Sequence, residues 1–213
     1  MRYKAILFDM DGTLLDTLTD MADAVNHILS VHGWPLRTIE EVRAFVGNGA
    51  RRLMERAVPP EVTGGDFEAV LTEYRDWYQA HNCVATAPYP GIPALLAALA
   101  EAGVKTAVVS NKPDATTKTL AARFFPGLPA FGQRDDVPPK PAPDLVFRAL
   151  ETLGVDAADA IYVGDSEVDV ATARNAGLPL AAVSWGFRGR RALAEAGAAV
   201  IVDTAAELLE VLR

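Results

Sequence analysis

Five short apolar runs, at residues 5–8, 106–109, 161–163, 180–184 and 199–202, constrain this chain more than any other feature. Each is too short for a helix, and none alternates with polar residues. That is the pattern of strands covered on both faces. Between the runs stand longer stretches with helical periodicity: "GIPALLAALAEAG", "DATTKTLAARFF", "PDLVFRALETLG", "DVATARNAG" and "AAELLEVL". Gly103, Gly154 and Gly177 fall where helix C-caps belong. Strand–helix–strand repetition predicts an α/β fold, a Rossmann-like doubly wound parallel sheet with helices on both faces.

Residues 16–85 break that rhythm. From "DTLTDMADAVNHILSVHGW" through "TIEEVRAFVG" and "GARRLMERAV" to "DFEAVLTEYRDWYQAH", the pattern is helical throughout, with no strand candidate. A crossover between parallel strands needs only about a dozen residues, so this stretch reads as an insertion. The predicted organisation is a catalytic core from residues 1–15 and 86–213, with an all-helical cap domain at 16–85. Pro88, Pro90 and Gly91 punctuate the return. An insert hinged just after the first strand is placed to cover that strand's end.

A chain of 213 residues is long enough for one core plus such an insert. Twenty basic against 28 acidic side chains give a net charge of −8, and no basic stretch could track a phosphate backbone. Nucleic acid is therefore not an expected partner. The lone cysteine, Cys83, cannot form an internal disulfide, which predicts a reducing, cytoplasmic setting. The opening "MRYKAILFD" is too short in apolar residues for a signal peptide or membrane span. The three histidines, 27, 32 and 81, lack zinc-ligand spacing and are read as surface or packing residues.

The first run ends in "FDMDGT". Asp9 and Asp11 are two positions apart, and on extended backbone they would share a face with their α-carbons roughly 6–7 Å apart. Buried like charges need a cation, a reaction or solvent. In parallel sheets the carboxyl ends of strands are where ligands bind. Paired carboxylates there suit magnesium, which takes oxygen ligands and keeps waters and phosphate oxygens. A solvated turn would also accommodate "DMDG"; the later strand ends decide between the two. After the second run comes "SNK", where Ser110 and Asn111 offer a hydroxyl, an amide and backbone N–H groups at an expected helix start, suited to phosphate. After the third comes "GDSEVD", with Asp165 and Asp169. Between them "PPKPAPD" holds Lys140 among four prolines, a stiff loop able to aim an ammonium at a dianion.

"DMDGT", "SN", "KPAP" and "GDSEVD", in this order and at these strand ends, resemble the four motifs of the haloacid dehalogenase superfamily. The resemblance spans nearly the whole chain. Dehalogenases proper share the frame but lack the second aspartate, so Asp11 places the chain with the phosphotransferase majority. The resemblance implies that Asp9 is a nucleophile forming an aspartyl phosphate and that Asp11 is the acid–base. It implies magnesium held by Asp9, the Asp11 main-chain carbonyl and Asp165, with Asp169 in support. Thr13, Ser110, Asn111 and Lys140 become the expected phosphate contacts.

Substrate choice falls to the insert. In "FVGNGARRL", Gly47, Asn48 and Gly49 interrupt a helical pattern, and Arg51 and Arg52 follow. A helix–helix turn explains the glycines. The functional alternative is a loop facing the aspartates, with an arginine, Arg52, meeting a substrate carboxylate. With "DTLTDM" and "SWGF", this stretch is similar to the phosphoglycolate phosphatase group, which implies 2-phosphoglycolate, a small phosphorylated metabolite. Pyrophosphatases and sugar-phosphate phosphatases or phosphomutases share much of the pattern. Phosphonoacetaldehyde hydrolases need a cap lysine, and residues 16–85 contain none. "WGFRGRR" at 185–191 reads as a solvated loop. An aspartate-phosphorylated receiver, the non-enzyme alternative, would be about half as long and lack the insert. The expected assembly state is monomer or homodimer.

Overall fold

The computed structural model describes residues 1–213 and divides into two compact units, Met1–Asp16 with Pro88–Arg213, and Thr17–Ala87. Strands β1 (Ala5–Phe8) and β2 (Leu15–Asp16) come first. Helices α1 (Leu18–Val31), α2 (Ile39–Phe45), α3 (Gly49–Ala57) and α4 (Gly64–His81) form the second unit. The chain then returns through β3 (Ala87–Pro88) to α5 (Ile92–Glu101), β4 (Lys105–Pro113), α6 (Asp114–Phe124) and β5 (Ala130–Gln133). It finishes with α7 (Asp144–Leu153), β6 (Ala160–Gly164), α8 (Glu167–Ala176), β7 (Leu180–Val183), α9 (Gly189–Glu195), β8 (Ile201–Val202) and α10 (Ala205–Leu212).

Six strands form one parallel sheet in the order β5-β4-β1-β6-β7-β8. β1 lies inside it, and the chain leaves it in opposite directions toward β4 and β6. That reversal opens a crevice at the carboxyl ends of the strands. All four residues of β1 are at most 1% exposed, as a strand covered on both faces requires. Ala5 and Leu7 join a cluster with Val109, Val146, Ala149 and Tyr162. Each fully buried aliphatic side chain of this kind contributes roughly 1.5–3 kcal/mol.

Several elements depart from the sequence reading, among them the short pair β2 and β3. β5 is an additional edge strand; "AFGQ" is only half-buried and contains a glycine, so it carries neither a continuous apolar signal nor strict alternation. α9 begins inside "WGFRGRR", so residues 189–191 are helical rather than loop. Its arginines are paired, Arg190 with Asp203 at 2.8 Å and Arg191 with Glu195 at 2.8 Å, and Arg188 just before it meets Glu167 at 3.0 Å. Gly154 and Gly177 do cap α7 and α8 in left-handed conformation.

Within the helical unit, α4 buries Phe67, Val70, Leu71, Tyr74 and Tyr78, one face at helical spacing. α2 starts with a Thr38–Glu41 capping box. The unit's exit is tied to its entrance by one buried acid. Asp20, 1% exposed, accepts hydrogen bonds from the backbone N–H groups of Val84, Ala85 and Thr86 at 3.0, 2.8 and 2.9 Å. It also accepts one from the Thr86 hydroxyl at 2.7 Å. Hydrogen bonds to a charged group contribute more than neutral ones, and the Thr86 groups are buried. Asp20→Ala should therefore cost about 2–3 kcal/mol, read as a lower Tm by circular dichroism. Asp20→Asn, which keeps an accepting oxygen, should recover part of the loss.

Candidate active site

The register of the sheet assembles the site. Phe8 is opposite Val108 on one side and Val163 on the other. Asp9 is one residue beyond that level, and Ser110 and Asp165 are two beyond it, so three strand ends deliver their polar residues to one edge. β1 stops at Phe8, and the Asp9 N–H still donates to the Val163 carbonyl at 2.9 Å. The expected extended spacing of the two aspartates is replaced by a turn. The Met10 carbonyl accepts from the N–H groups of Thr13, Leu14 and Leu15 at 3.3, 3.0 and 3.0 Å.

On that turn Asp9 and Asp11 meet different cations. Lys140, 1% exposed at its side chain, places Nζ 3.0 Å from Asp9 Oδ1 and 2.9 Å from Asp169 Oδ1. It also donates to the Tyr162 hydroxyl at 3.0 Å, and that hydroxyl donates to the Val109 carbonyl at 3.1 Å. Asp11 Oδ2 lies 3.1 Å from Lys112 Nζ. Carboxylate oxygens of Asp9, Asp165 and Asp169 lie within 4.8 Å of one another. Burial pushes Asp9 up to about 7; Lys140 opposes the shift, while Asp169 and Asp11 add to it. Asp165 is raised well above the carboxylate range by burial and then by Asp169 and Asp9. Burial works against the charge on Lys140, but Asp169 and Asp9 outweigh it and hold the ammonium well above its ordinary range.

Asp165 sits in a close-fitting cradle. It accepts from the Thr13 hydroxyl at 3.1 Å and from the Phe187 N–H at 2.7 Å. A Cβ at Gly12, whose φ is +82°, would fall 2.3 Å from Asp165 Oδ2, and one at Gly186 would fall 2.3 Å from both Asp165 Cβ and the Gly12 carbonyl. Trp185 Nε1 closes the same loop by donating to the Thr13 carbonyl at 3.1 Å. Thr13, expected at phosphate, is fully buried and gives its hydroxyl to Asp165. The "SWGF" loop thus positions an acid from the fourth motif.

Ser110 and Asn111 are strand residues, because β4 continues to Pro113 and α6 starts only at Asp114. The expected helix start at "SNK" is corrected accordingly; the polar residues prolong the sheet. The Asn111 amide clamps the backbone of Lys140 at both ends, accepting from its N–H at 2.7 Å and donating to its carbonyl at 3.0 Å. Ser110 Oγ accepts from the Lys112 N–H at 3.2 Å. The sequence reading had no role for Lys112 or Tyr162. Lys112 could have been found from its place beside Ser110, whereas Tyr162 is hidden as an apolar member of a buried strand.

In the helical unit, Gly47 and Gly49 take positive φ values of 117° and 83°, and Asn48 Oδ1 accepts from Arg56 at 3.1 Å. Arg52 is exposed and paired with Glu55 on its own helix at 2.6 Å. The bidentate fork in this stretch belongs to Arg51, which holds both oxygens of Glu68 at 2.8 Å.

The donor set suits a hard divalent cation. Its ligand atoms are all oxygens, and Asp9 Oδ2 receives no protein hydrogen bond. Asp169 is occupied elsewhere: Oδ2 accepts from the Ser166 N–H and hydroxyl at 3.1 and 2.6 Å, and Oδ1 faces Lys140. Asp169 thereby orients Lys140 and the start of α8.

Known proteins share this frame. The family described as haloacid dehalogenase-like hydrolase matches residues 6–183. An N-acetylmuramic acid 6-phosphate phosphatase of Pseudomonas aeruginosa is 36% identical, over 100% of this chain and 96% of its own. A phosphoglycolate phosphatase of Pseudomonas savastanoi pv. phaseolicola is 35% identical, over 97% of this chain and 78% of its own. A solved structure from Lactobacillus delbrueckii subsp. bulgaricus, named as a candidate phosphoglycolate phosphatase, superposes with a TM-score of 0.94 at 38% identity, covering 100% and 99% of the two chains. This chain belongs to the haloacid dehalogenase-like hydrolase family and is one of its phosphoric monoester hydrolases.

Proposed function

We propose that this protein is a magnesium-dependent phosphatase that hydrolyses a small phosphate monoester through an aspartyl phosphate on Asp9, with 2-phosphoglycolate as its substrate. One observation carries the reading of the chemistry: two aspartates on a single turn are each held by a separate buried lysine, Asp9 by Lys140 and Asp11 by Lys112. The separate partners support separate roles, Asp9 as nucleophile and Asp11 as acid–base. The helical unit is proposed as the cap, with Gly47, Asn48, Gly49 and Arg52 as its substrate-facing residues. No helix is long and apolar enough to cross a membrane, and the proposed setting is the cytoplasm.

A carboxylate attacking a phosphate dianion must overcome like-charge repulsion. Lys140, 3.0 Å from Asp9 Oδ1, reduces it and orients the carboxylate for attack on phosphorus. Asp9, the Asp11 carbonyl and Asp165 would hold magnesium, which when bound neutralises charge on the transferring phosphoryl group. Ser110, whose Oγ accepts from the Lys112 N–H, keeps its own hydroxyl proton to donate to a phosphoryl oxygen. Asp11 protonates the departing alcohol, then takes a proton from the water that cleaves the acyl phosphate.

The similarity to phosphoglycolate phosphatases over most of this chain supports the substrate. A second reading, a sugar 6-phosphate, is supported by the likeness to the N-acetylmuramic acid 6-phosphate phosphatase, which extends over more of both chains. Membership of a phosphatase family sets the receiver alternative aside. Measured against a panel of phosphorylated metabolites, 2-phosphoglycolate should give the highest kcat/KM; preference for N-acetylmuramic acid 6-phosphate would favour the second reading.

Asp9→Asn should reduce phosphate release at least 10⁴-fold, on the order expected when a covalent nucleophile is removed, while the circular dichroism spectrum stays native. Chelation with EDTA should silence the wild type and added magnesium restore it. Magnesium should also raise Tm, as any ligand of the native state does, by an amount equivalent to about 2.7 kcal/mol at a hundredfold excess over Kd. Asp165→Asn should lose most of that thermal shift.

A further inference from the structure

Lys112 is a buried cation for which the chemistry so far has no use of its own. Its side chain is 3% exposed and its ammonium lies 3.1 Å from Asp11 Oδ2. Its backbone is fixed on both sides. The N–H donates to Ser110 Oγ at 3.2 Å, and the carbonyl accepts from the hydroxyl of Thr117, itself fully buried, at 3.1 Å. The lysine therefore projects from a rigid strand end, β4, beside β1, the strand whose following turn carries both aspartates.

A rigid countercharge answers a specific hazard. Three carboxylates, Asp9, Asp165 and Asp169, already gather within 4.8 Å, and a divalent cation there would attract a fourth. Asp11 is the nearest candidate in sequence to Asp9, and the glycine that follows it packs directly against Asp165. An Asp11 carboxylate drawn onto the ion would be lost to proton transfer. A plain stabilising ion pair would need no such fixed backbone on the lysine side.

We infer that Lys112 is the positioning residue for Asp11, anchoring its carboxylate apart from the Asp9, Asp165 and Asp169 cluster so that it faces the leaving oxygen and then the attacking water. The inference rests on the proposed reading of Asp11 as acid–base. It assigns Lys112 no contact with substrate, so its effect passes entirely through Asp11.

The test is a double-mutant cycle on the full-length protein with magnesium, comparing wild type, Lys112→Met, Asp11→Asn and the combined variant. The readouts are kcat and KM for 2-phosphoglycolate and for p-nitrophenyl phosphate, and the rise in Tm on adding magnesium, which should be larger in Lys112→Met than in the combined variant. Lys112→Met should lower kcat about 10²-fold, the lower end of what general acid–base catalysis contributes, with KM changed by less than about threefold. The combined variant should be no slower than Asp11→Asn within about twofold, because residues acting as one unit are not additive. Lys112→Arg, which restores the charge, should recover about tenfold of the loss. Multiplied losses in the combined variant, or a raised KM with unchanged kcat in Lys112→Met, would overturn the inference. If Lys112→Met does not fold, Lys112→Gln takes its place in the cycle under the same criteria. Wild-type kcat in Asp11→Asn would instead bring down the acid–base assignment itself, and a wild type inactive on every phosphate ester would bring down the proposed function.

Discussion

Everything at the site follows from crowding negative charge at one buried edge of a parallel sheet. Asp9, Asp165 and Asp169 converge where solvent cannot relieve their repulsion, and one lysine, Lys140, is built among them. Burial alone would neutralise such acids, as the upward displacement of Asp9 and Asp165 reflects. The fold tolerates the arrangement because rigid elements impose it: Asn111 clamps the Lys140 backbone, Ser166 fixes Asp169, and Thr13 with Phe187 hold Asp165. A site that demands opposite charge is thereby prepared before any cation or phosphate arrives. Preorganisation of this kind is what electrostatic catalysis needs.

How much of this was legible in the sequence depended on distance along the chain. The strands of the sheet centre were readable because apolar runs covered on both faces leave a local signature, and the acids at their ends were readable as interruptions of those runs. The order and register of the strands were implied only through the parallel-sheet rule. β5 escaped because an edge strand is half-buried, and its "AFGQ" has neither continuous apolarity nor strict alternation. α9 escaped because three arginines and two glycines mask a seven-residue helix whose one fully buried side chain is Leu193.

Polar contacts made across the fold were the least readable. Asp20 looks like an ordinary acid in the first turn of α1, yet it gathers three backbone N–H groups from residues more than sixty positions away. Tyr162 counts as apolar in a strand, and its hydroxyl completes the hydrogen bonds of Lys140. Thr13 and Asn111 were recognisable as site residues, but their partners are protein groups, Asp165 and the Lys140 backbone. Residue type announces that a polar group belongs near the chemistry. Only the assembled sheet decides whether it meets the ligand or steadies another side chain.

The two-lysine arrangement also bears on why one frame serves relatives named for different phosphate esters. In the proposed mechanism Lys140 and the carboxylates around it address the phosphoryl group, which every monoester shares. Asp11 there addresses the departing oxygen, which is likewise common to all of them. Nothing in that set touches the rest of the substrate, so the core can stay unchanged while the ester varies. Selectivity must then come from residues outside the charge cluster. The helical unit is the part of the chain with freedom to supply it, since its own packing rests on α4's apolar face and on Asp20 rather than on the acids of the sheet. On that proposal, separating the two tasks physically lets the catalytic charges remain rigid while the surface that selects the substrate changes.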